Sequence, residues 1–479
     1  MVRDGDVASA SNYLAVRGNL RAVGDRLQVY VDQSDDSAGS VSDSVLKDVV
    51  STFDDAVFPV AAKTIGQARD VDGDGRFTVF MSSWLTRLAG GRHAVDGYVR
   101  GADLDLSLAA PYSNHGDMMY LSTAMTAGPH LRTVIAHEYT HAVTFSAKAL
   151  AGPPSRSTGL EEEGWLDEAI AHLVEDQHGF SRSNLDYRVS AFLSRPEAYR
   201  LVVDDYYAAD LFRSHGNRGA TYLFLRWCVD RFGPDLIPAL VRSNLRGVRN
   251  LEVATGERFE DLYRGWSLAL FFSGFDPMRV DSSGFQSIDA RKAFNDWDLA
   301  GPRTVSVTPD GPEFTWNSTG TASRYLVVES SPTGAAKIVV TAPEGANLQV
   351  TAVPLPDDLA RMELTAIPEP GGFRLSLREA GGTPVTLTSI AWEPLVPGPD
   401  PHAPGFRHDS LDATGIAAAC GSTTLTALGE LISRPIPAPS RRGPVVVKAV
   451  GTDAFGRRVA AWAELPGIEV SRAAGAEKR

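Results

Sequence analysis

Cysteine is nearly absent: the 479 residues hold two, Cys228 and Cys420. A disulfide-stapled scaffold is thereby excluded, and the pair reads either as one bridge or as two free thiols. Basic residues are also short, 46 Lys and Arg against 59 Asp and Glu, for a net charge of −13. That deficit argues against a nucleic-acid partner, which needs a basic face, and against adhesion to anionic membranes. No apolar run approaches the ~20 residues of a membrane span. The opening stretch, MVRDGDVASASNYLAVRGNL, lacks the apolar core of a secretory leader, so the chain is either cytosolic or starts after a removed one. What remains is a globular balance of 43% hydrophobic and 22% charged residues, in a chain long enough for two or three domains.

Residues 1–299 read as mixed α and β, with a strand-rich first half and a helical second half. LQVYVD (27–32) and RFTVFMSS (76–83) carry the alternation of half-buried strands. From Leu131 the period becomes helical, in LRTVIAHEYTHAVTF, GWLDEAIAHLVED, GATYLFLRWCVDRFG and FEDLYRGWSLALFF. Near residue 300 the pattern changes to short alternating segments: RTVSVTP, EFTWNST, SRYLVVES, AAKIVVTAP, LQVTAVP, FRLSLRE and PVTLTSIAW. Their spacing predicts an all-β sandwich over 300–394. A proline-rich linker follows at 395–405, then a small C-terminal β segment with a frayed tail at 406–479. The expected architecture is α+β followed by all-β.

Within VIAHEYTHAV, His137 and His141 stand four residues apart with Glu138 after the first. On a helix such positions lie about 40° apart around the axis, so both rings project from one face. No Gly or Pro interrupts residues 131–147. Neutral imidazole nitrogens suit Zn²⁺, a catalytic site keeps one position for water, and an adjacent carboxylate can take that water's proton. The plain alternative is a helix that happens to carry two histidines. A glycine three residues and a histidine six residues past the second His would supply a third donor, but Thr144 and Ala147 occupy those positions. Glu168, on the following helical segment, is the other option.

HEYTH followed by WLDEAIA resembles the glutamate-zinc metallopeptidases, the group containing thermolysin. With DVDGDGRFTVFMS, GYVRGADL, SNHGDMMYL and RGATYLFLRWCVDRFG it is similar in particular to the hyicolysin-like neutral metallopeptidases of bacteria, across roughly 20–275. The resemblance implies a zincin-type domain, zinc held by His137, His141 and Glu168, Glu138 as general base and acid, and protein or peptide substrates. Thermolysin-like enzymes place an aspartate one turn after the glutamate ligand to orient a zinc histidine, whereas this chain has His172 there. Asp117, Asp167 and Glu175 are the candidates to take over that role.

Related aminopeptidases stabilise the oxyanion with a tyrosine in Y-x-K-G-A. Here SHGNRGATYLF puts Gly216 at that position, so His215 is the first candidate donor, ahead of Tyr207 and Tyr222. The G-x-M-E-N stretch that holds a substrate amino terminus is missing, which points to an endopeptidase. DVDGDG (70–75) supplies Asp70, Asp72 and Asp74 as the first half of a calcium loop. Met81 stands where the closing glutamate belongs, and a turn in which these aspartates bond their own backbone competes with the Ca²⁺ reading. The expected protein is a secreted zinc peptidase whose β region binds a surface or partner. Two alternatives are an inactive relative serving as a binding or adhesion module and a zinc hydrolase of non-peptide amides.

Overall fold

The computed structural model describes residues 8–87, 95–151, 161–206, 214–275, 284–295, 297–308, 315–317, 319–328, 338–394, 409–437 and 444–466. The chain forms two compact units. One comprises Met1–Val189, Tyr199–Trp266 and Asn295–Trp297, the other Ser190–Ala198, Ser267–Phe294 and Asp298–Arg479.

The first unit carries a five-stranded mixed sheet built from β1 (Gly18–Val23), β2 (Leu27–Asp32), β3 (Phe77–Met81), β4 (Gly97–Val99) and β5 (Met118–Leu121), in the order β1-β2-β3-β5-β4. Strands β2, β3 and β5 run parallel; β1 and β4 are antiparallel to their neighbours. The alternation in LQVYVD does what its period requires, since Leu27, Val29 and Val31 are fully buried. Strand β4 forms one edge of the sheet, pairing with β5.

Helix α1 (Asp43–Thr52) precedes the long helix α2 (Pro129–Ala151). Pro129 suits the first turn of α2, where a missing N–H costs nothing. Helix α3 (Gly164–His178) ends at Gly179, whose φ of 69° is the left-handed conformation that closes a helix cheaply. Helix α2 packs on α3 and on β4, and α3 packs in turn on α4 (His215–Phe232). Tyr139 lies two residues from each histidine of HEYTH, and therefore on the opposite side of α2. Its ring meets Phe53 and Phe77 edge-on at 4.8 and 5.1 Å. That aromatic anchor sets the rotation of α2 and leaves His137 and His141 on the face toward α3.

A fully buried ion pair ties the helices together. Lys148, near the end of α2, contacts Glu162, two residues before α3, at 2.9 Å with both side chains at 0% exposure. Lys148 also donates to the carbonyls of Ser243 and Leu245, between α5 (Leu236–Arg242) and α6 (Gly247–Thr255). Glu162 accepts from the backbone N–H of Glu163 and Gly247 and from the Asn250 amide.

In the second unit, β6 (Thr304–Val307) and β7 (Tyr325–Val328) form a parallel pair. One antiparallel sheet contains β8 (Met362–Glu369), β9 (Gly372–Glu379), β13 (Glu430–Ile432) and β14 (Ile436–Pro437). The other contains β10 (Val385–Pro394), β11 (Asp409–Leu411), β12 (Thr424–Leu425), β15 (Val445–Asp453) and β16 (Arg458–Leu465). Phe373, Leu375 and Leu377 of the first sheet and Leu387, Ile390, Val447 and Ala449 of the second belong to one apolar core.

The structure departs from two expected boundaries and from two expected strands. The unit division falls after Trp266, inside helix Phe259–Phe272, because Ser267 and Phe271 bond and stack with Ser323 and Tyr325. The proline-rich stretch 395–405 lies outside the described residues, but β10 before it pairs with β11 and β15 after it, so 300–394 and 406–479 share a sheet. LQVTAVP and the described part of AAKIVVTAP form no strand: Val339 and Val350 are 72% and 61% exposed, and alternation without a partner strand gives no sheet. Cys228 and Cys420 are both free thiols. Among the described residues no helix is long and apolar enough to cross a membrane.

Candidate metal centre

His137 and His141 sit side by side on α2 with ring centroids 4.8 Å apart and Nε2 atoms 3.1 Å apart. Each ring is anchored from behind. His137 Nδ1 lies 2.7 Å from Glu175 Oε2, and His141 Nδ1 lies 2.7 Å from Asp167 Oδ2. A carboxylate accepts, so each Nδ1–H donates, and in the neutral ring Nε2 is left with its lone pair toward the cluster. Two lone pairs facing each other at that distance repel unless a proton or a metal cation lies between them. Glu168 adds an oxygen 3.5 Å from His137 Nε2, and the donor atoms of His137, His141 and Glu168 all lie within 4.8 Å of one another. Two imidazole nitrogens and one carboxylate are the donor chemistry of a three-protein-ligand zinc site. The residues present fit the ion.

Helix α3 supplies most of the supporting groups. Glu168, His172 and Glu175 follow the i, i+4, i+7 spacing of one helix face, and all are buried together with Asp167. Buried ionisable groups persist only when paired, and these are. His172 Nδ1 donates to Glu175 Oε1 at 3.1 Å, and Asn184 donates to both Glu175 oxygens. Arg218 of α4 reaches in from the third side. Its Nη2 donates to Glu168 Oε2 at 2.7 Å and lies 3.3 Å from His137 Nε2, while its Nε donates to His172 Nε2 at 2.8 Å. Burial opposes ionisation of Glu168, but Arg218 and the two imidazoles hold its carboxyl well below the usual range. His172 goes the other way, kept neutral by burial and by the Arg218 charge.

Glu138 is enclosed but belongs to none of these donor sets, and burial raises its carboxyl above the usual range against the pull of His137 and His141. The edge strand β4 passes over it. A Cβ at Gly97 would meet Glu138 Cγ at 3.1 Å, Val134 Cγ1 at 3.0 Å and Leu121 Cδ2 at 2.9 Å. A side chain there displaces the carboxylate, so Gly97→Val should lower any Glu138-dependent turnover by roughly tenfold or more, while leaving stoichiometric metal bound. Metal content and turnover measured on the same sample check this. Wild-type turnover in the variant counts against Glu138.

The sequence-predicted residues sort unevenly. His137, His141 and Glu168 converge, Glu138 adjoins them, and of the three candidate orienters Asp167 and Glu175 take the two imidazoles. Asp117 stands elsewhere: it accepts from Val71 N and groups with Asp70 and Asp72, and burial raises its carboxyl to about 6. In that loop Asp70 accepts from Gly73 N and Gly75 N, Asp72 from Asp74 N, and Asp74 from Arg76 N and Gln28. Met81 lies buried inside β3, so the loop does not close in the EF-hand manner, and no cation is assigned to it.

His215 begins α4 with its ring edge-on to Tyr187 at 4.8 Å, and Tyr222 donates to Asp176. Tyr207 is outside the described residues. The residue of α4 that touches the cluster is Arg218, which the reading of the sequence missed. A signal existed: Arg218 occupies the basic position of the Y-x-K-G-A pattern. Its tyrosine position is held by Gly216, where a Cβ would lie 2.2 Å from the Tyr199 ring, so a side chain there would require that ring to move.

No protein-family model matches this chain. The neutral metalloprotease ShpI of Staphylococcus hyicus is 25% identical to it over 160 residues. The similarity is to a bacterial metallopeptidase. It covers 32% of this chain and 34% of that protein, so the chain spans about a third of the relative's length. Among solved structures, the crystal structure of Legionella pneumophila aminopeptidase A in complex with aspartic acid aligns with a TM-score of 0.31 and 10% identity, over 88% of this chain and 37% of that one.

Proposed function

We propose that the protein is a zinc-dependent peptidase that cuts within peptide chains, with His137, His141 and Glu168 as metal ligands and Glu138 as general base and acid. The observation that carries this reading is the convergence of three donor atoms whose imidazoles are both fixed in one tautomer by carboxylates. A bound zinc ion supplies Lewis acidity, polarising the scissile carbonyl and lowering the pKa of water. Glu138, whose carboxyl burial raises above the usual range, takes the proton released by the attacking water as a carboxylate and passes it to the departing amine. Asp167 and Glu175 keep both imidazoles aimed while charge builds up.

Strand β4 supports the peptide as substrate class and the internal cut. It is a sheet edge next to Glu138, and an extended peptide can add to such an edge through main-chain hydrogen bonds with both of its ends running on. We read the two core-sharing sheets of the second unit as a β-sandwich accessory, and extracellular work as what the resemblance implies. The inactive-relative alternative is not favoured: the mutual approach of the His137, His141 and Glu168 donor atoms supports a working centre.

The test is zinc content together with cleavage of a peptide library. One zinc per chain and internal cleavage that stops with a chelator and returns with zinc are expected. A protein that retains no zinc after dialysis against trace metal, or cleaves equally with chelator, refutes the reading.

A further inference from the structure

We propose that Arg218 and His172 form a positioning pair for Glu168, in which neutral His172 bridges opposite charges by accepting from the Arg218 guanidinium and donating to the Glu175 carboxylate. This rests on the metal-centre reading above and adds to it the device that holds the carboxylate ligand.

The hydrogen-bond directions follow from chemistry. Arg218 Nε can only donate, so His172 Nε2, 2.8 Å away, must be the acceptor and the His172 proton must sit on Nδ1. That proton faces Glu175 Oε1 at 3.1 Å. Nε and Nη2 form one edge of the guanidinium plane, so contacts to His172 and to Glu168 Oε2 at 2.7 Å grip Arg218 at two points and fix its orientation. The other Glu175 oxygen holds His137. Glu168 and His137, two of the three metal donors, are thereby joined through one buried chain: Glu168, Arg218, His172, Glu175, His137. His172 and Glu175 are fully buried and the Arg218 side chain is 13% exposed. Water therefore cannot easily substitute for a lost member. The neutral middle link is essential to the arrangement, since an anion at position 172 would confront Glu175, and an apolar group would take away the acceptor of Arg218 Nε and one of the donors to Glu175 Oε1, leaving that oxygen to Asn184.

Four variants test the pair: His172→Leu, His172→Asp, His172→Gln and Arg218→Lys, with zinc affinity measured by chelator competition and apo-protein Tm measured alongside. Glutamine can accept and donate as His172 does. Leucine fills the space without hydrogen bonds, aspartate adds the wrong charge, and lysine keeps a charge without the two-point edge. His172→Leu, His172→Asp and Arg218→Lys should each weaken zinc binding roughly 10–100-fold, and His172→Gln should recover most of the loss. A packing role alone predicts the reverse order, with leucine equal to or better than glutamine, and that result overturns the pair. So does wild-type zinc affinity in Arg218→Lys, which guards against His172→Leu simply failing to fold. If the wild type itself binds no zinc, the metal reading falls and the pair with it. Wild-type binding that is indifferent to all four substitutions removes the pair alone.

Discussion

Glu138→Gln should leave a protein that folds and carries its metal yet cleaves peptides roughly 10²–10⁴-fold more slowly. The substitution changes one oxygen for an amide nitrogen and keeps the side chain's shape, so the enclosed site beneath Gly97 is refilled without a cavity. Metal retention is expected because the converging donors are His137, His141 and Glu168, not Glu138. What disappears is proton traffic, since an amide can neither take the proton of the attacking water nor return it to the leaving amine. Burial makes the effect large: it raises the wild-type carboxyl and keeps bulk water from acting as a substitute base. Zinc analysis and kcat on one preparation decide the matter. A variant that keeps more than a tenth of wild-type kcat means that Glu138 is not the base. Loss of zinc would instead assign Glu138 a structural part in the centre.

Lys148→Met should cost about 3–5 kcal/mol of folding stability, the range expected when one partner of a buried ion pair is removed. The pair lies at 0% exposure on both sides, so Glu162 would be left as an anion with no compensating cation and no access to water. Glu162 keeps three N–H donors, from Glu163, Gly247 and Asn250, which moderates the loss but cannot neutralise it. The carbonyls of Ser243 and Leu245 lose a donor as well. The double variant Lys148→Met with Glu162→Gln removes the uncompensated charge and should regain at least half of the loss. Urea unfolding of the metal-free proteins measures both. A single-variant loss below about 1 kcal/mol would mean that the pair is neutral to stability, as some buried pairs are.

Much of the centre was legible because it is local. His137, Glu138 and His141 lie within one helical turn, and Glu168 sits in a helix whose apolar pattern announces itself. The strand at Leu27–Asp32 was readable for the same reason, its period being its own evidence. Arg218 was not, because it comes from a helix 50 residues beyond Glu168, and no local pattern states that α4 docks against α3. The choice among Asp117, Asp167 and Glu175 likewise needed the packing of α3 on α2, which places two of them behind imidazoles and leaves the third at the Val71 turn. Composition misled most where it seemed clearest. The prolines of 395–405 suggested a separator, but strand pairing depends on partners distant in sequence, and β10 finds its long partner in β15.

That pairing has a practical corollary. Trimming the chain at the proline-rich stretch, as its composition invites, would remove β15, the strand paired with β10 from Val385 to Pro394. The severed sheet would present a long row of unsatisfied N–H and C=O groups, the template on which chains stick to one another. Expression boundaries for the second unit are therefore better drawn beyond Leu465, the last residue of β16, than at the proline-rich stretch.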